Sequence, residues 1–162
     1  MRMSKIYITS DLHFNHKAMV EQKFRSFKTL EEMNTYIINQ WNSVVSNEDV
    51  VYILGDFAFG SYKLLWQGLL KGNLIFIKGN HDPNSLTNIH SMIIKFKGKM
   101  FELIHNPEDC TYTTDYVLHG HIHKTGGDFI TDEPGRFYNV NTELHKFKPK
   151  LLNEILGELQ NR

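Results

Sequence analysis

Three short apolar runs, Ile6–Ser10, Val50–Leu54 and Leu74–Ile77, are separated by stretches of helical period. Runs this continuous in hydrophobicity, rich in β-branched residues, suit parallel strands covered on both faces. Between the first two runs, Thr29 and Glu32 form a capping box. Behind it Met33, Ile37, Trp41, Val44 and Val45 share one helical stripe. That helix is expected to stop near Ser46-Asn47. Between the second and third runs, Leu64, Leu65, Leu69 and Leu70 predict another helix, closed by Gly72 just past its C-terminus. The stretch after Ile6–Ser10, rich in His, Lys and Phe, predicts a loop. The order strand, helix, strand, helix, strand restricts this half to an α/β sheet with right-handed crossovers.

The second half changes pattern. Ile93–Phe96 and Met100–Ile104 flank Lys97-Gly98-Lys99, which predicts a hairpin. Tyr116–Leu118 and Arg136–Val140 predict further strands, and Leu151–Leu159 a closing helix. With no repeat or linker in 162 residues, a single domain over 1–162 is expected. The change of pattern then marks a second sheet in one sandwich.

Eighteen basic residues balance eighteen acidic ones, which argues against an extended nucleic-acid surface. The lysines at 146, 148 and 150 are the one local exception. A single cysteine, Cys110, cannot form an internal disulfide, so a reducing compartment is expected. No apolar segment precedes the first strand as a signal peptide would. None approaches the ~18 residues needed to span a bilayer. These features predict a soluble, cytoplasmic protein without membrane association. Oligomeric state leaves no mark on the sequence.

Nine histidines are many for this length, and His is the commonest imidazole ligand for metals. The metal-suited side chains fall in five stretches at expected strand ends. They are Asp11-Leu12-His13, Gly55-Asp56, Gly79-Asn80-His81-Asp82, His105 and Gly120-His121-Ile122-His123. Ligands of parallel sheets sit outside the carboxyl ends of strands. Asp11 and His13, two apart on extended chain, point the same way, as do His121 and His123. Asp56 is the natural carboxylate to bridge two ions. Asn80 offers a carbonyl oxygen and His105 a nitrogen. Mixed nitrogen and carboxylate donors without thiolate favour Mn first, with Fe, Zn, Ni or Co as alternatives. Mg is less suited, because it prefers oxygen. Taken alone, Asp-x-His and Gly-Asp read as turn chemistry, which explains only the first half of Gly-Asn-His-Asp; Gly-His-x-His reads as a solvated pair, and His105 alone carries no signal.

In this order the stretches resemble the calcineurin-like metallophosphoesterase superfamily. Its pattern runs D-x-H, G-D, G-N-H-D/E, a lone H and G-H-x-H. Ser10–His16 and Leu54–Phe57 look like its small bacterial and phage members. The resemblance implies a four-layer sandwich of two mixed β-sheets flanked by helices. It implies one divalent ion on Asp11, His13, Asp56 and His123, and a second on Asp56, Asn80, His105 and His121. It implies that His81 faces the leaving-group oxygen as an acid or charge stabiliser. Hydroxide held between the ions would attack phosphorus directly, with no covalent phospho-enzyme. Gly55–Gly60 departs from the protein phosphatase branch, lacking its orienting Asp and its Arg.

Arg25 then reads either as a substitute phosphate clamp or as a solvated surface residue. Asn80, His81, Arg25 and His16 are the candidate substrate contacts. His16 and His119 are candidates to orient ligands or touch substrate, and His119 reads best as an ordinary strand residue. His90 and His145 read as surface histidines. Asp82 would orient His81 or cap a helix beginning at Pro83. The expected activity is hydrolysis of small phosphodiesters or phosphomonoesters of nucleotide or cyclic-nucleotide type. A nuclease acting on DNA or RNA, and a non-catalytic protein-binding scaffold, are the competing readings.

Overall fold

The computed structural model describes residues 3–60, 63–123 and 135–162. Its strands are β1 (Ile6–Thr9), β2 (Val50–Leu54), β3 (Asn73–Ile77), β4 (Ser91–Phe96), β5 (Lys99–Ile104), β6 (Tyr116–His119), β7 (Phe137–Asn139) and β8 (Lys150–Leu151). Its α-helices are α1 (Ala18–Glu21), α2 (Leu30–Asn42), α3 (Lys63–Leu69) and α4 (Leu152–Gln160). The strands form two mixed four-stranded sheets, ordered β3-β2-β1-β8 and β4-β5-β6-β7. In the first, β1, β2 and β3 are parallel and β8 runs antiparallel along β1. In the second, β4 and β5 form the hairpin, and β5, β6 and β7 are parallel.

Alternation along β1 sends Tyr7 to one core and Ile8 to the other. On the outer face of the first sheet, Met33, Ile37 and Trp41 of α2 pack over Tyr7, Val51 and Ile53. The helix starts where expected. Thr29 Oγ1 accepts from Glu32 N at 3.1 Å, and the Glu32 carboxylate accepts in return from Lys28 N at 2.8 Å. It ends at Asn42, before Val44 and Val45, so Val45 reaches the core from the following turn. Asp49 organises that turn by accepting from Ser46 N and Lys5 N, both at 2.9 Å.

Of the leucines expected to anchor α3, Leu70 reaches the core just past the helix, whereas Leu65 and Leu69 are exposed. Trp66 holds the helix itself, stacked on Phe14 at 5.2 Å. The side chain of Leu64 lies outside the described residues.

Between the sheets, Ile8, Leu54 and Ile77 meet Phe101, Leu103, Leu118 and Tyr138. α4 joins the same core through Leu152, Ile155, Leu156 and Leu159. The β4–β5 turn is Lys97-Gly98, both with positive φ (48° and 80°), the geometry that matches strand twist in two-residue hairpins. The Arg136–Val140 run contributes only Phe137–Asn139 as strand. The expected His-rich loop contains the short helix α1, and no helix follows Pro83. Among the described residues no helix is long and apolar enough to cross a membrane.

Candidate metal centre

The C-terminal ends of β1, β2, β3, β5 and β6 meet at one end of the sandwich, each followed by a candidate donor. Backbone hydrogen bonds zip the first two loops together. Asp11 N donates to Gly55 O, and His13 N to Asp56 O, both at 3.0 Å. The loop after β6 joins through Gly120 N to His105 O at 3.0 Å. Asp11, His13, Asp56 and His121 all take positive φ, between 51° and 66°. L-residues reach that region at a cost, and such backbone gathers at functional sites. Close approach explains two glycines. A Cβ at Gly79 would lie 2.3 Å from Asp56 N and Oδ1, and one at Gly120 would lie 2.4 Å from Asp11 Oδ2 and Ser10 Oγ.

The donors assemble into two groups around Asp56. In the first, His123 Nε2 lies 3.4 Å from Asp11 Oδ1 and 3.3 Å from His13 Nε2. His13 Nε2 lies 3.7 Å from Asp56 Oδ2. In the second, His105 Nε2 lies 3.6 Å from Asp56 Oδ2, 2.8 Å from Asn80 Oδ1 and 3.2 Å from His121 Nδ1. Asp56 Oδ2 therefore faces both groups. Ligands about 2.0–2.2 Å from one ion stand roughly 3.0–3.5 Å apart at tetrahedral or octahedral angles. Imidazole nitrogens facing each other at 3.2–3.3 Å match that spacing. The donor set fits divalent cations on this ground.

Charge divides the donors: Asp11 and His13 are held in their ligating forms, whereas His123 and Asp56 must give up protons to a cation. Burial disfavours ionised Asp11, yet the hydrogen bond with His123 and the charges of His105 and His123 prevail, and its carboxyl titrates at about 2. Burial drives His13 down to about 2 against the pull of Asp11, so its imidazole is neutral and able to ligate. His123 is raised to about 9, because hydrogen bonds to Asp11 and Glu143 outweigh its burial. Burial raises Asp56, partly offset by His105.

The supporting residues were harder to foresee. Arg25 is neither solvated nor turned to the cleft. It is 4% exposed, and its guanidinium donates to Asp11 O at 2.6 Å, Leu12 O at 2.8 Å and Glu143 Oε1 at 2.7 Å. The phosphate-clamp expectation fails because these acceptors occupy its fork. Glu143 Oε1 also lies 3.3 Å from His123 Nδ1, on the ring edge away from Asp11. This carboxylate–imidazole pair fixes the ring. Nothing in the sequence distinguishes Glu143 from other acidic residues; the Asn141 side chain places it by accepting Glu143 N at 3.0 Å.

Asp82 does not orient His81. It accepts from Asp56 N at 2.7 Å, Gly79 N at 2.9 Å and Phe57 N at 3.1 Å, clamping two donor loops together. His81 is half-exposed, its Nε2 4.0 Å from Asp56 Oδ2. Its backbone N–H donates to Asp56 Oδ1 at 2.9 Å. His16 Nδ1 lies 3.3 Å from His13 Nδ1, and its ring stacks on Phe59. His119 is a buried strand residue, and His90 is exposed. His145 is not a surface residue: it stacks on Tyr138, with Nε2 2.9 Å from Asn139 O. Cys110 is buried and free.

Comparison with known proteins places the chain in a family. The family model described as calcineurin-like phosphoesterase matches residues 4–121. An uncharacterized protein of Methanocaldococcus jannaschii is 38% identical over 166 positions, 96% of this chain and 92% of that one. The crystal structure of a protein of unknown function from Aquifex aeolicus is similar with a TM-score of 0.79 and 26% identity, over 94% of this chain and 98% of that one. An archaeal phosphodiesterase shares the fold at a TM-score of 0.51 and 18% identity, over 85% and 82% of the two chains.

Proposed function

Because the chain belongs to the calcineurin-like phosphoesterase family, we propose that it hydrolyses small phosphate esters with a pair of divalent cations held at this centre. One cation would rest on Asp11, His13, Asp56 and His123, the other on Asp56, Asn80, His105 and His121. Manganese is the leading choice for such mixed donors. When bound, such a pair neutralises phosphoryl oxygens and lowers the pKa of water. The observation that carries the reading is Asp56 Oδ2, which faces His13 at 3.7 Å and His105 at 3.6 Å.

The chain's own groups supply the rest. Asp82 and the glycines hold the loops close enough for one carboxylate to serve both groups. Arg25 and Glu143 keep the β1 loop and His123 in register. His81, anchored by its backbone on Asp56 and open to solvent at its ring, would give a proton to the departing oxygen. An intact donor set with an exposed histidine beside it favours turnover over a purely scaffolding role. The protein stripped with a chelator should not hydrolyse a nitrophenyl phosphate ester, and added manganese should restore turnover. Activity that survives stripping would reject the proposal.

A further inference from the structure

The lysines at 146, 148 and 150 converge with Lys5 on one cleft at the β8 edge of the first sheet. The cleft holds about 420 Å³, and Tyr7, Val44 and Leu151 supply its apolar part. β8 runs antiparallel beside β1 with Tyr7 opposite Leu151, and this pairing carries Lys5 and the lysine segment to a common place. None of the candidate metal donors lines the cleft. The turn Thr142–His145 stands between the two sites: Glu143 faces His123, whereas Leu144 and His145 line the cleft.

The lysine segment is pinned in place. Lys146 and Phe147 both take positive φ, 56° and 60°. Two successive left-handed residues without glycine cost free energy, and such backbone persists only where its surroundings fix it. Phe147 does the fixing. Its ring meets Phe27 and Tyr36 edge-on and lies under the Arg25 guanidinium, 5.2 Å from the ring centre. Phe147 N donates to Thr142 O at 2.8 Å, and Lys148 N to His145 O at 3.1 Å. With Phe147 packed on the core, the lysines on either side of it line the cleft.

Charge in the cleft is one-sided. Glu154 is the one carboxylate among its described lining residues, and it lies 3.3 Å from Lys150. Glu158 meets the same lysine at 2.7 Å. Asp49 is buried and accepts from the backbone N–H groups of Lys5 and Ser46. Lys5, Lys146 and Lys148 enter no ion pair among the described residues. Three ammonium groups around one concavity create a positive potential that low-dielectric walls concentrate. Lysine binds phosphate as a point charge, without the planar fork that arginine matches to a carboxylate.

We propose that this cleft binds a compact polyphosphate anion, of the triphosphate class, on Lys5, Lys146 and Lys148, at a site separate from the metal centre. The test titrates inorganic tripolyphosphate into the full chain by calorimetry, with divalent cations stripped so that they do not capture the probe. Binding should follow a single site and weaken as salt is raised. Lys146→Gln with Lys148→Gln should lower affinity by ~10-fold or more, the weight of a charge-assisted hydrogen bond. Lys146→Arg with Lys148→Arg keeps the charges and should keep the affinity; an equal loss in both pairs would trace the effect to the turn rather than to charge and overturn the site. Amide NMR shifts locate the anion and should centre on Lys5 and Leu144–Leu151. Shifts confined to Asp11–His16 and Gly120–His123, no shift at all, or unchanged affinity in the glutamine pair overturn the proposal. Citrate bound as tightly as tripolyphosphate overturns the phosphate class, and an oligothymidylate bound more tightly overturns a compact ligand.

Discussion

At the residue scale, Asp56 and His81 are neighbours with separable roles. Asp56 Oδ2 faces both donor groups, whereas His81 touches the centre through its backbone and presents its ring to solvent. Asp56→Asn should therefore lose affinity in both halves, read as two weakened manganese events by calorimetry. His81→Ala should retain both events while kcat falls by ~10²–10⁴-fold, the usual weight of a general acid. Glu143 is a positioning residue for one half. Glu143→Ala should weaken cation binding at the Asp11–His13–His123 half by ~10–100-fold and leave the other half unchanged. Removing Arg25 strands a partly buried carboxylate and two buried carbonyls. Arg25→Ala should lower unfolding free energy by about 3–5 kcal/mol in urea titration, as broken buried ion pairs do.

At the element scale, α2 forms for reasons written locally. Its capping box and its Met33, Ile37, Trp41 stripe follow from spacing alone, and both are present. Thr29→Ala should cost about 1 kcal/mol by denaturant midpoint, the usual weight of an N-cap, without altering cation binding. The β4–β5 hairpin was equally legible, because Lys97-Gly98 suits a left-handed two-residue turn. Expectations failed where periodicity was short. Leu65 and Leu69 imitate a core stripe over seven residues of α3, yet Trp66 and, just past the helix, Leu70 take the inward places. Val44 and Val45 extend the α2 pattern past the true end of the helix, since apolar spacing does not record where the backbone turns.

At the scale of the whole molecule, α4 ties the last segment to the inter-sheet core. Tyr138 of β7 donates to Glu158 of α4 at 2.6 Å, and Lys150 of β8 pairs with Glu158 at 2.7 Å. Burial, then the bond to Glu158, raises the Tyr138 phenol well above the ordinary tyrosine value of about 10. A folded-state pKa above the unfolded one gives stability that is complete below pH ~10 and lost as pH climbs toward the folded value. Urea midpoints should thus fall as pH rises above about 10, the unfolded pKa. Tyr138→Phe should flatten that decline. An equal slope in the two proteins would show that the phenol is not the titrating group.

The sequence by itself determined the α/β order of the first half, the hairpin, the capped helix and the identities of the metal-suited side chains. Strand-end position and residue chemistry are local properties, and a linear reading retains them. Tertiary structure alone decided that Asp56 faces two groups, that Asp82 clamps loops rather than orienting His81, and that Arg25 is buried behind the centre instead of open to phosphate. Glu143 reaches His123 across twenty residues of chain. Such partnerships depend on which loops the two sheets bring to a common end. That proximity is set by packing of Ile8, Leu54 and Leu118 between the sheets, which no local pattern encodes.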